Sequence, residues 1–142
     1  MADTRHSAYG TETTFHSTDM NSKTTGSLVG LSSAYDNSSD KHLFMDFKLN
    51  LATQGTARGA SAHCVLFILA AIDGTNYDDT IIEHPVSAVF PLDATVTARQ
   101  VTIYDVPIPP CLFKTDLRNV TAQTFAASGS TVKGRAHSVV TV

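Results

Sequence analysis

The chain has 142 residues, ten Lys or Arg against thirteen Asp or Glu for a formal net charge of -3, and an apolar share of 42%. That length suits one domain with one core, the apolar share is too high for general disorder, and the charge balance offers no basic footprint for a nucleic-acid backbone. No apolar run approaches the roughly 18 residues of a membrane helix; the longest, Val65 to Ile72, is the length of a strand.

The opening Met1-Ala2-Asp3-Thr4-Arg5-His6 is polar and has no apolar h-region, so the chain is expected to fold in the cytosol where it is made. Two cysteines occur, Cys64 and Cys111, outside any metal-ligand spacing, and two free thiols are expected in a reducing compartment. Without a secretory route the sequons Asn37-Ser38-Ser39 and Asn119-Val120-Thr121 carry no meaning for glycosylation.

Residues 1–41 read as an extended arm, with 15 Ser or Thr among the first 40 residues and apolar side chains standing mostly alone. Tyr9, Phe15, Leu28, Val29, Leu31 and Tyr35 are the exceptions, spaced as anchors. Such a stretch cannot build its own core, so either the domain or a neighbouring chain must hold it. The expectation is that neighbouring chains order it, and that residues 42–142 fold without it.

From residue 42 the pattern is periodic. Leu43, Met45, Phe47, Leu49 and Leu51 alternate with polar or outward residues, the period of a half-buried strand. His63 to Ile72 is apolar on both faces, as in a central strand covered on both sides. Further strands are expected around Val86 to Phe90, over Thr97 to Val106 with Val101 and Ile103 on one face, and over Phe113, Thr115 and Leu117. Two shorter ones are expected over Ala122 to Ala127 and Thr131 to Val140. Pro107-Ile108-Pro109-Pro110 must be a crossover or edge segment, because proline donates no ladder hydrogen bond. Strands at about ten-residue spacing without a helical stripe predict an all-β fold, an antiparallel β-sandwich or jelly roll. Its predicted core is Leu43, Met45, Phe47, Leu49, Val65, Phe67, Leu69, Val101, Ile103, Phe113 and Leu117.

Chemistry is sparse. Asp73, Asn76, Asp78 and Asp79 could offer oxygens to calcium, yet they do not fit the EF-hand loop, and a solvated turn is the simpler reading. His63 and Cys64 are strand neighbours whose side chains point to opposite faces, so they cannot act together as base and nucleophile. The six histidines, at 6, 16, 42, 63, 84 and 137, form no i, i+2 or i, i+4 pair and are expected on the surface. There is no Walker loop, dinucleotide fingerprint, HExxH or G-x-S-x-G. A non-catalytic protein is expected, with no metal, cofactor or small-molecule substrate.

One resemblance adds to this reading. Pro91-Leu92-Asp93-Ala94-Thr95-Val96-Thr97-Ala98-Arg99-Gln100-Val101, Asp105-Val106-Pro107-Ile108-Pro109-Pro110 and Leu112-Phe113-Lys114 resemble small virion proteins of tailed bacteriophages. So do Leu117-Arg118-Asn119, Phe125-Ala126-Ala127-Ser128-Gly129, Lys133-Gly134-Arg135 and the loop Asp73-Gly74-Thr75-Asn76-Tyr77. The likeness spans residues 60–136, about half of the chain, and departs from the pattern at Cys111, where a glycine is expected after the double proline. It implies a β-sandwich most similar to capsid decoration or cement proteins, made in the host bacterial cytoplasm and seated on the outer capsid surface. Its implied partners are the major capsid protein and copies of itself. Tail, neck or fibre-base proteins and receptor- or carbohydrate-binding modules are the alternatives.

Overall fold

The computed structural model describes residues 4–79 and 84–141. Among the described residues ten strands follow one another: β1 (Thr4–His6), β2 (Thr13–His16), β3 (Tyr35–Asp36), β4 (Phe44–Leu51), β5 (His63–Ala71), β6 (Ala88–Pro91), β7 (Arg99–Pro107), β8 (Leu112–Val120), β9 (Thr131–His137) and β10 (Val139–Thr141). They form two four-stranded antiparallel sheets, β2-β9-β4-β7 and β3-β8-β5-β6, and a two-stranded ribbon β1-β10. The two larger sheets face each other across one core, which makes the chain an antiparallel β-sandwich.

The clearest strand is β4, where Met45, Phe47, Leu49 and Leu51 are buried and the residues between them half-buried. Leu43 departs from the expected core: it precedes the strand and is 53% exposed. In β5 both faces are buried, as the unbroken apolar run implied. Cys64, Leu66 and Ile68 face the opposite sheet, whereas Val65, Phe67 and Leu69 lie on the sheet's other face, where the ring of His84 meets Phe67 at 6.2 Å. Val65, Phe67 and Leu69 are buried, as expected of core residues, and a run without polar residues carries no alternation to tell its two buried faces apart.

In β7, Val101 and Ile103 pack against the core as expected, but the register slips between Met45 and Phe47 of β4. One extra residue enters β7 there, and Asp105 takes up a left-handed φ of 55°. Such a bulge turns Val106 inward three positions after Ile103 and re-aims the Asp105 side chain. Pro107 ends β7 at the edge of its sheet, where no neighbour needs its missing N–H. The strand expected over Ala122 to Ala127 is instead a turn segment that plugs Phe125, 2% exposed, into the core.

The largest difference concerns residues 1–41. No boundary falls at residue 41, because β2 pairs with β9 and β3 with β8. Between them the backbone runs along β8, with Val29 N–H bonded to Leu117 O, Ser32 N–H to Thr115 O and Asn119 N–H to Ser27 O. Phe15, Met20 and Val29 are 5%, 0% and 4% exposed and belong to the core. The Phe15 ring lies 5.4 Å from Phe47 and 6.1 Å from Phe113, bridging side chains of both sheets. Gly134 makes this possible: a Cβ there would meet Met45 Sδ at 2.5 Å and the Phe15 ring at 2.9 Å. The described part of residues 1–41 alternates short strands with turns and one 3-10 helix over Thr18–Met20, and residues 13–36 are built into the sandwich.

Candidate functional site

Outward residues of β4, β7 and β9 form a cleft of about 220 Å³ on one face of the molecule, lined by Tyr9, Asp46, Lys48, Tyr104, Lys133 and Arg135 among others. The strand period puts Asp46 and Lys48 on this face because Met45, Phe47 and Leu49 face the core. Tyr9 and Tyr104 are 50% and 68% exposed. Lys133 Nζ pairs with Glu12 at 2.8 Å and holds that carboxyl below its ordinary range, while Arg135 sits over the Tyr9 ring at 5.8 Å.

At one end of the cleft, polar groups converge on Asp46. Its Oδ2 accepts a 2.7 Å hydrogen bond from the Tyr9 hydroxyl, and its Oδ1 accepts the Asp105 N–H at 2.8 Å. His137 Nε2 lies 3.0 Å from Asp46 Oδ1 and 3.2 Å from Asp105 Oδ1. Partial burial pushes the Asp46 carboxyl up, but the bonds from Tyr9, Asp105 and His137 outweigh it and leave the group below its ordinary range. The same bond to Asp46 raises the Tyr9 phenol. The imidazole is 1% exposed, with Tyr9 edge-on at 5.2 Å and Phe44 stacked at 5.8 Å.

His137 and His16 both overturn the expectation of surface histidines, since each is 1% exposed. A bulge in β2 turns the consecutive Phe15 and His16 inward. Thr115 Oγ1, His16 and Asp19 then follow one another at 3.0 and 2.6 Å, the order of hydroxyl, imidazole and carboxylate in a nucleophile triad. Thr115 is fully buried and its N–H is held by Ser32 Oγ, so no reacting carbonyl has access to the hydroxyl. This network joins the sheets through β2 and β8.

Of the six expected arm anchors, Phe15 and Val29 lie in the core and Tyr35 packs against it, 5.2 Å from Phe113. Leu28 bridges to Arg118 of β8 and is half-buried, Tyr9 lines the cleft, and Leu31 is 49% exposed. Only Tyr9 and Leu31 therefore present much surface to a partner.

The Asp73 loop bonds itself. Asp73 Oδ1 accepts the N–H groups of Thr75 and Asn76, and Oδ2 accepts Asn76 Nδ2. These bonds hold Asp73 below the ordinary carboxyl range, as in an Asx turn. Cys64 and Cys111 are free, and burial pushes the Cys64 thiol up to about 12, far from a reactive thiolate.

The residues behind the resemblance serve mainly as fold anchors. Asp93 grips both Arg58, 3% exposed, and Arg99, and Arg58 also binds the carbonyls of Asp93 and Thr97. Arg99 and Arg58 together hold the Asp93 carboxyl well below the usual range. Asn119 is fully buried, donates to the carbonyls of Lys23 and Gln123, and accepts from Thr121. Asn37, also fully buried, donates to the carbonyls of His42 and Pro109. Both sequon asparagines are thus internal brackets. Searches against protein families and curated proteins find no family model and no protein that matches this chain.

Proposed function

We propose that this chain is a structural, non-catalytic virion protein that binds the outer surface of a tailed-phage capsid and stabilises the shell. The observation that carries the reading is an apolar sheet margin. Among the described residues β6 ends its sheet, and Val86, just before that strand, and Val89, within it, are 53% and 42% exposed. An edge strand with apolar side chains invites pairing with another protein surface. The likeness over residues 60–136 adds the lattice: repeated weak contacts on a shell multiply by simultaneous engagement. Attachment falls to this margin rather than to an N-terminal clamp, because residues 13–36 are built into the sandwich.

The test is co-sedimentation of the purified chain with shells that lack it, beside mass analysis of intact particles. Saturable binding in hundreds of copies is expected, and Val86→Asp with Val89→Asp should weaken it while the melting temperature stays near that of the parent. A few copies per particle would point to the tail, neck or fibre-base reading, and no particle association would end both. A carbohydrate- or receptor-binding module is the second reading, supported by the exposed Tyr9 and Tyr104 rings in the cleft. It predicts glycan binding that is lost in Tyr104→Ala.

A further inference from the structure

We propose that Asp46, Asp105 and His137 form a binding site for one divalent transition-metal cation, with zinc or cobalt as the fitting class. The three donors come from adjacent strands of one sheet, β4, β7 and β9, with β4 in the middle. Asp46 Oδ1, Asp105 Oδ1 and His137 Nε2 all lie within 4.8 Å of one another, and Nε2 is 3.0 and 3.2 Å from the two carboxylate oxygens. An ion about 2.1 Å from each donor places neighbouring donors about 3 Å apart, which the two His137 distances already match.

The arrangement is a product of the fold. His137 and Asp46 meet because Phe44 pairs with His137 and Asp46 with Arg135, a diagonal step across β4 and β9 on the outward face. Asp105 meets them because the β7 bulge adds one residue and turns it left-handed. Asparagine and aspartate tolerate that conformation better than most residues. The Tyr9 hydroxyl holds the other oxygen of Asp46, the outer bond that fixes a ligating carboxylate. The buried imidazole is fixed between Tyr9 and Phe44, whereas the Asp105 side chain is 55% exposed and leaves an open side for water ligands.

One nitrogen with two carboxylates favours a borderline cation over calcium or magnesium, which prefer oxygen alone. Nε2 reaches both carboxylate oxygens directly, and an ion seated among the three donors would replace those direct contacts. Bound there, it would tie the bulge of β7 to β4 and β9 beneath Tyr9.

The experiment uses the full chain, first treated with chelator and then titrated with cobalt(II) and zinc(II). Calorimetry should report one equivalent, cobalt should develop a visible d–d absorption, and the melting temperature should rise with free metal. Asp105→Asn alters an exposed side chain and should weaken binding about tenfold or more. Asp73→Asn should bind as the parent does, and His137→Ala serves only if its far-ultraviolet circular dichroism matches the parent. Absence of saturable cobalt binding, or an unchanged affinity in both Asp105→Asn and Asp46→Asn, overturns the site, as does loss of binding in Asp73→Asn.

Discussion

Residues 7–37 and the Asp73 to Asp79 loop share a composition of Ser, Thr, Asn, Asp and Gly and end in opposite places. The first stretch enters both sheets and delivers Phe15, Met20 and Val29 to the core. The second closes on the oxygens of Asp73 and leaves Ile72 in solvent. Polar content does not separate them. What separates them is a few apolar anchors at the right spacing and an unpaired strand nearby. Fully burying a Phe or Met contributes about 1.5–3 kcal/mol, and each ladder bond satisfies a backbone group that would otherwise lie exposed at the β8 or β9 edge.

The sharpest way to break this contrast is to delete residues 2–35. With Phe15, Met20 and Val29 gone and the β8 edge bared, no cooperative thermal transition is expected; a truncated chain that melts like the parent would restore the independent arm. Phe15→Ala should cost about 3–5 kcal/mol in urea unfolding, the range of a large core truncation. Gly134→Ala should cost about 1–3 kcal/mol by overpacking, because the added methyl group meets Met45 and Phe15.

Asp93 adds a dependence on pH. Its carboxyl lies well below the usual range when folded, so its contribution is present above the unfolded value near 4 and is lost as the pH falls through the lower folded value. Urea midpoints of the parent and Asp93→Asn should stand apart at pH 7 and converge toward about pH 2. Asp73→Ala is expected to change global stability by less than about 0.5 kcal/mol, since its bonds stay within an exposed loop.

The sandwich was legible in the sequence because β4, β7 and β8 alternate, and alternation reports the buried face directly. Three features escaped it for separate reasons. Phe15 and His16 are consecutive and both buried, which only a bulge permits, and an ordinary period of two assigns them to opposite faces. The burial of Val65, Phe67 and Leu69 was expected, but the face of the sheet they occupy is hidden in a run with no phase. Asp46, Asp105 and His137 are 59 and 32 positions apart in turn, and a cluster assembled across strands leaves no local spacing to find. Gly134, flanked by Lys133 and Arg135 in an otherwise strand-like stretch, was the one local sign that another side chain presses on β9.

The pairing of β2 with β9 also sets an order of events. Thr13 lies opposite Gly134, about 120 positions further along, so the first strand of that sheet has no place to dock until nearly all of the chain has emerged. Long-range pairing of this kind makes folding slow, in the range of milliseconds to seconds. During synthesis Phe15, Met20 and Val29 must stay exposed while β4 and β5 are already available to stick, and the many Ser and Thr around them keep that waiting segment soluble. In the finished fold most of those Ser and Thr still face solvent, while the apolar anchors between them are concealed.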